Sequence, residues 1–161
     1  MKVDKAQMDA IQELAREAGE QILTVYHSGD FDVEAKGDGS PLTRADRLAH
    51  EHIVAGLARI TPEIPILSEE SESSAYDVRK DWNVFWLVDP LDGTKEFIKR
   101  NDEFTVNIAL IVGGEPVFGV VVAPVPGTCY CGGLEYGAWL TDRSGECRPL
   151  RVRQYSGGMA T

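Results

Sequence analysis

The sequence predicts an α+β fold in which helices are layered against an antiparallel sheet. Two amphipathic stripes with helical spacing lie before Thr61, and runs of strand character fill the chain after it. With 161 residues, 43% of them hydrophobic, the chain can bury one sizeable core, and its length does not require a second domain.

Between Asp4 and Tyr26, Met8, Ile11, Ala15, Ala18, Ile22 and Val25 recur in steps of three and four, the stripe of a first helix. His27-Ser28-Gly29-Asp30 ends it. Phe31 to Ala35 alternates apolar and acidic residues like a short strand, and the glycine-flanked loop Lys36-Gly37-Asp38-Gly39-Ser40-Pro41 follows. A second helix is expected from Thr43 to Ile60, with Ala49, Ile53, Gly56, Leu57 and Ile60 on one stripe and Thr61-Pro62 closing it. His50 and His52 on that helix point roughly 200° apart, so they cannot share a metal from one face. Ile64 to Leu67 reads as a short strand ending on Ser68-Glu69-Glu70-Ser71, and Glu72 to Asp81 as a loop or short helix. Thr105 to Val112 and Val117 to Ala123 are strands joined by the hairpin signal Gly113-Gly114-Glu115-Pro116. Weaker strands are expected near Thr128 to Cys131 and Ala138 to Thr141.

A net charge of −10 excludes a surface that neutralises a long phosphate backbone, so a nucleic-acid polymer is not an expected partner. A small phosphorylated metabolite stays compatible, because a bound divalent cation can supply the positive charge locally. Three cysteines, an odd count without a secretory signal, fit a reducing cytoplasm. No run reaches the ~18 apolar residues needed to span a bilayer, and peripheral membrane contact stays open.

The chemistry concentrates where the apolar run Phe85-Trp86-Leu87-Val88 stops on Asp89-Pro90-Leu91-Asp92-Gly93-Thr94. Two carboxylates at a strand end, with Pro90 fixing one backbone angle and Gly93 permitting a tight turn, form an oxygen-rich cup suited to a hard cation. Counting Asp38, Asp46, Glu69, Glu70, Asp89 and Asp92, six carboxylates fall beside residues that turn or cap the chain. Mg²⁺ takes oxygen ligands at ~2.1 Å, and two such ions about 4 Å apart clamp a phosphoryl group. An Asx-type turn without metal is the plain alternative for Asp89 and Asp92. An EF-hand is excluded because its ligands alternate, whereas these aspartates are three apart. The haloacid dehalogenase motif would need aspartate where Pro90 stands. Thr43 with Asp46 reads as a capping box, or else Asp46 reaches Thr94, whose hydroxyl orients a water. Lys36, Arg44, Lys95, Lys99 and Arg100 read first as solvated charges.

Trp86-Leu87-Val88-Asp89-Pro90-Leu91-Asp92-Gly93-Thr94-Lys95-Glu96-Phe97, preceded by Ser68-Glu69-Glu70, resembles the signature of the inositol monophosphatase superfamily of Mg²⁺-dependent, lithium-sensitive phosphatases. Lys36 to Asp46 and Phe97 to Asn107 are similar, within it, to the CysQ-type 3′(2′),5′-bisphosphate nucleotidases of sulfur metabolism. The resemblance runs from the first helix to about Arg153.

The resemblance implies that Glu69, Asp89, the Leu91 carbonyl and Asp92 bind two or three Mg²⁺ ions. It implies that Glu69, Leu91, Asp92, Gly93 and Thr94 meet the substrate, with Gly93 and Thr94 offering backbone donors to its phosphate. Asp46 with Thr94 would position or deprotonate the attacking water, and Asp38 with Glu70 would support a further metal or the nucleophile. The implied reaction is hydrolysis of adenosine 3′,5′-bisphosphate to AMP and phosphate, in the cytoplasm or at the cytoplasmic face of the inner membrane. Two other readings stand beside it: an inositol monophosphatase-like enzyme, and a non-catalytic metal-binding or interaction module. The superfamily continues into a second α/β half bearing a Trp-Asp motif, which this chain lacks. Residues 1–155 are therefore expected to form an N-terminal metal-binding half and 156–161 a tail, with the oligomeric state open.

Overall fold

The computed structural model describes residues 3–37, 39–71 and 76–152. The first helix, α1 (Lys5–Ser28), is opened by a capping box in which Asp4 Oδ1 accepts from the Gln7 amide at 2.8 Å and Gln7 Oε1 from the Asp4 amide at 3.0 Å. A short antiparallel pair follows, β1 (Glu34–Ala35) and β2 (Pro41–Leu42), and then α2 (Arg44–Ile60), capped by Thr43. The strand expected over 31–35 is shorter than its alternation suggested, because Asp32 is left-handed at φ 47° and breaks the extended run.

The remaining elements are β3 (Ile66–Ser68), α3 (Tyr76–Arg79), β4 (Val84–Asp92), α4 (Thr94–Lys99), β5 (Thr105–Val112), β6 (Glu115–Ala123), β7 (Thr128–Gly133), β8 (Gly137–Thr141) and β9 (Cys147–Leu150). Helix α3 settles the second part of the Glu72 to Asp81 segment, whose first four residues, like the 156–161 tail, lie outside the described residues. Strands β3 to β9 form one seven-stranded sheet in sequence order. The sheet is mixed, a correction to the antiparallel expectation: β3 pairs parallel to β4, and every later pair is antiparallel. The connection from β3 to β4 passes through α3, long enough for the crossover that parallel strands need. The β5–β6 turn is the predicted hairpin, with Gly113 and Gly114 at φ 61° and 83°. Pro116 lies inside β6 at a register shift, where a missing N–H costs no ladder bond.

Both long helices cover one face of the sheet, α1 against β5, β6 and β7 and α2 against β3 and β4. Between them lies the core: Ile11, Ile22, Ile53, Leu57, Trp86, Val88, Val106, Ile108, Leu110 and Val120 are all buried. The helices meet closely at Gly56, where an added Cβ would fall 2.3 Å from Leu14 Cδ1. No described helix is long and apolar enough to cross a membrane.

Candidate active site

The turn after β4 owes its shape to a bulge. Asp89 pairs with Asn107 and Asp92 with Thr105, so two residues of β4, Pro90 and Leu91, face the single Val106 of β5. In a regular strand, residues three apart point to opposite faces. The extra residue cancels that alternation and keeps Asp89 and Asp92 on the same side of the sheet. Pro90 suits the bulge because it has no N–H to leave unpaired. Gly93, at φ 96°, opens α4 in a conformation that side chains disfavour, and an added Cβ there would meet Glu103 O at 2.8 Å.

The parallel pairing of β3 with β4 places Glu69 beside this turn, its amide donating to Val88 O at 3.0 Å. Three carboxylates then crowd together. Burial first, then the charges of Glu69 and Asp92, push the Asp89 carboxyl up to about 7. A hydrogen bond between Asp89 and Glu69 requires a shared proton. With both ionised, the buried Oδ1 of Asp89 has no hydrogen-bond donor among the described residues. Asp92 is exposed, and its Oδ2 accepts from Asn107 Nδ2 at 3.2 Å. Asn107, bonded to a carboxylate of the candidate site, is a residue that the sequence reading passed over, although a lone amide among the apolar residues of β5 signals it.

Asp46 resolves the choice between cap and site by doing both. It is fully buried; Oδ2 accepts from the Thr43 amide at 2.7 Å, while Oδ1 accepts from the Thr94 hydroxyl at 3.1 Å. The same hydroxyl lies 3.3 Å from Leu91 O. With its proton committed to these acceptors, Thr94 Oγ1 presents a lone pair outward.

Lys36 is not the solvated charge expected. Its ammonium donates to Glu70 Oε1 at 2.6 Å and to Glu69 Oε1 at 3.1 Å, bridging 33 residues of sequence to Glu69. Burial alone would lower the Lys36 pKa, but these two carboxylates raise it. The Glu70 carboxyl is raised by burial, against the opposing pull of Lys36. Arg100 is exposed as expected, with its guanidinium resting over Tyr26 and Phe31. Lys95 and Lys99 are exposed as expected, and Asp38 lies outside the described residues.

His50 Nδ1 lies 2.9 Å from Ser68 Oγ and His52 Nε2 2.8 Å from Glu17, so the two histidines part as their spacing required. Among the described residues, no three Asp, Glu, His or Cys side chains close into a ready-made metal cage. With Glu69 paired to Lys36, the site is an open cup rather than a closed one. The donor set is all oxygen, and the orphaned Asp89 Oδ1 has the character of a hard-cation ligand. A cavity of about 550 Å³ adjoins it, lined among others by Ser68, Glu69, Leu87, Asp89, Asn107 and Val121, a volume that suits a small metabolite.

Residues 4–157 match the model of the inositol monophosphatase family. The chain is 50% identical over 147 residues to the 3′(2′),5′-bisphosphate nucleotidase CysQ of Escherichia coli K12, which covers 91% of this chain and 58% of that protein. The crystal structure of CysQ from Bacteroides thetaiotaomicron superposes with a TM-score of 0.70 at 44% identity, over 95% of this chain and 53% of that one. The inositol monophosphatase of Anabaena superposes with a TM-score of 0.71 at 26% identity, over 92% of this chain and 50% of that one. The chain thus spans little more than half the length of these relatives. A match across nearly all of its residues, joined to the same sheet and helices, shows that the chain belongs to the inositol monophosphatase family.

Proposed function

We propose that this chain supplies the metal-holding carboxylates of a Mg²⁺-dependent phosphatase that hydrolyses adenosine 3′,5′-bisphosphate to AMP and phosphate. The observation that carries the reading is the buried Oδ1 of Asp89, unpartnered among the described residues, beside Glu69 and Asp92. Such a group is costly unless a cation or a proton satisfies it. The nucleotide substrate is favoured over inositol phosphate by identities of 50% and 44% to CysQ proteins, against 26% to the Anabaena inositol monophosphatase.

Glu69, Asp89, the Leu91 carbonyl and Asp92 would hold Mg²⁺, with Asp38 and Glu70 supporting a further ion. When bound, the metal supplies Lewis acidity and charge neutralisation at the phosphate. Thr94 Oγ1, its proton held by Asp46, accepts a hydrogen bond from a water and aims that water's oxygen at phosphorus. Asp46 has both oxygens engaged and no exposure, so it works through Thr94 rather than touching the water. The Gly93 and Thr94 amides are the donors for the phosphate oxygens. As the water oxygen bonds to phosphorus and gives up a proton, the bond to the ribose 3′ oxygen breaks, and that oxygen gains the proton in the net reaction and leaves as a hydroxyl.

The test is phosphate release from adenosine 3′,5′-bisphosphate and from inositol phosphate with Mg²⁺, with and without Li⁺. It uses the chain alone and the chain joined to the second half of a CysQ relative. Faster release from the nucleotide, abolished by Asp89→Asn, supports the reading. Preference for inositol phosphate overturns the substrate, and an unchanged rate in Asp89→Asn overturns the metal assignment. An inert joined protein that still binds Mg²⁺ would favour a non-catalytic module.

A further inference from the structure

The segment from Asp92 to Thr105 leaves the sheet and returns to it at one rung, because these two residues are register partners. It holds α4, and beyond α4 it contains Arg100 at φ 59° and Asp102 at φ 70°. Left-handed residues other than glycine persist only where their surroundings over-determine them. Arg100 is held locally as the C-cap of α4, its amide donating to Glu96 O and Phe97 O, whereas Asp102, outside any helix, requires a fixture.

That fixture is Tyr26, buried in the last turns of α1. Its hydroxyl donates to Asp102 Oδ1 at 2.7 Å and accepts from the Asp102 amide at 3.3 Å. The Arg100 guanidinium lies 5.1 Å above the Tyr26 ring, and the ring packs against Phe97 at 5.1 Å and Phe104 at 5.0 Å between centroids. Both left-handed residues are therefore tied to one side chain, by a pair of hydrogen bonds and by a cation–π contact.

Two paths lead from Tyr26 to the proposed site. Asp102 is followed by Glu103 and Phe104, whose backbone lies so close to Gly93 that a Cβ there would be 2.8 Å from Glu103 O and 3.3 Å from Phe104 Cα. Phe97, against the Tyr26 ring, donates its amide to Gly93 O at 2.9 Å. The placing of Asp92, Gly93 and Thr94 thus depends on a segment that Tyr26 clamps.

We propose that Tyr26 is a positioning residue for the Asp92-Gly93-Thr94 turn, holding the Arg100–Asp102 segment in its left-handed path and through it the turn that faces metal and phosphate. The inference rests on the metal reading of that turn. It differs from ordinary core packing in assigning the effect to the hydroxyl rather than to the ring.

The experiment uses the full chain with three variants, Tyr26→Phe, Asp102→Asn and Asp89→Asn. Mn²⁺ binding is followed by the electron spin resonance of the free ion, and amide hydrogen exchange is measured at Phe97 and across β5 and β6. Tyr26→Phe keeps the ring and its contact with Arg100 and loses both hydrogen bonds to Asp102. It should speed exchange at Phe97 about fivefold and weaken Mn²⁺ binding about fivefold, the low end of what losing two hydrogen bonds costs, with β5 and β6 unchanged. Asp102→Asn, which still accepts from the hydroxyl and tolerates the left-handed region, should stay within about twofold of the parent protein. Unchanged Mn²⁺ affinity in Tyr26→Phe, or exchange that accelerates equally in β5 and β6, overturns the proposal and leaves Tyr26 a core residue. If the parent protein binds Mn²⁺ no better than Asp89→Asn, the metal reading fails instead, and exchange at Phe97 still decides whether Tyr26 holds the turn.

Discussion

Strands β4, β5 and β6 present two faces that differ in what they are built for. Toward the helices, Trp86, Val88, Val106, Ile108, Leu110 and Val120 are each at most 1% exposed. Toward the other side, Leu87 keeps 44% of its surface and Val121 39%, and their neighbours on that face are Asp89 and Asn107. Residues adjacent in sequence thus serve opposite ends: one face stores the stability of the fold, and the other carries its charged and polar chemistry. The alternation of a strand is enough to separate them, and the bulge at Pro90 and Leu91 is what returns Asp92 to the polar side.

The largest expected effect tests that separation directly. Trp86→Ala removes a fully buried indole together with its 2.9 Å hydrogen bond to Thr61, whose own oxygen is buried. It should cost about 4 kcal/mol, and Leu87→Ala, one residue on, less than about 1 kcal/mol. Urea unfolding of the two variants measures the contrast, and equal losses would mean that the second face is as closed as the first.

The polar face should respond with the opposite sign. Without metal, the Asp89 carboxyl titrates at about 7 in the fold, against 3.8 in its ordinary state, so the folded protein binds more protons between these values. Stability in chelator should therefore fall as pH rises from about 4 to about 7 and level off above. Asp89→Asn should remove most of that slope. It should stabilise the metal-free protein at pH 8 by on the order of 1 kcal/mol, a figure reduced for the solvent that reaches the cup. Thermal unfolding at pH 5 and pH 8 gives the comparison, and a variant less stable than its parent at pH 8 would refute the crowding of charge.

A smaller effect is expected at Asn107. Its amide joins Asp92, at 3.2 Å, to the Thr105 hydroxyl, also at 3.2 Å, on a surface open to water. Asn107→Ala should change stability by no more than about 0.5 kcal/mol while weakening Mn²⁺ binding severalfold, because only the orientation of Asp92 is lost. Calorimetric titration beside a melting curve would separate the two.

What the sequence made legible was local. The stripes from Met8 to Val25 and from Ala49 to Ile60 became α1 and α2, and Gly113-Gly114 became a hairpin turn, because each is decided within a few residues. The carboxylates at strand ends were legible for the same reason, as apolar runs stop visibly at them. What stayed hidden depends on pairing across the chain. The parallel β3–β4 ladder, the ion pairs of Lys36 with Glu69 and Glu70, and the role of Asn107 all join residues brought together only by the sheet. Strand β9 escaped because Cys147-Arg148-Pro149-Leu150 has no apolar period and contains a proline, which an edge strand tolerates. In sequence Asp46 offers two alternatives, a cap or a partner for Thr94, whereas in the fold its two oxygens serve both at once.

The cysteines give the mildest test of how tightly the helix face is sealed. Cys129 and Cys131 are two apart on β7 and so project from the same face, the one that also bears Val122 and Val120 by register. Cys129 is fully buried, Cys131 partly so, and Cys147 on the edge strand is exposed. Burial pushes the Cys129 thiol up to about 11 and raises Cys131 as well. Since the thiolate is the reactive form, alkylation of the native protein at pH 8 should label Cys147 first, Cys131 more slowly and Cys129 last, with all three equal in urea. The same shift makes the folded state hold the Cys129 proton longer than the unfolded chain, whose thiol ionises near 9. Stability should then decline between about pH 9 and pH 11, and Cys129→Ala should lose part of that decline, the raised Cys131 keeping the rest. Mass spectrometry of partially labelled protein reads the order; if Cys129 were labelled as fast as Cys147 in native buffer, the helices would be opening from the sheet far more often than a closed core permits.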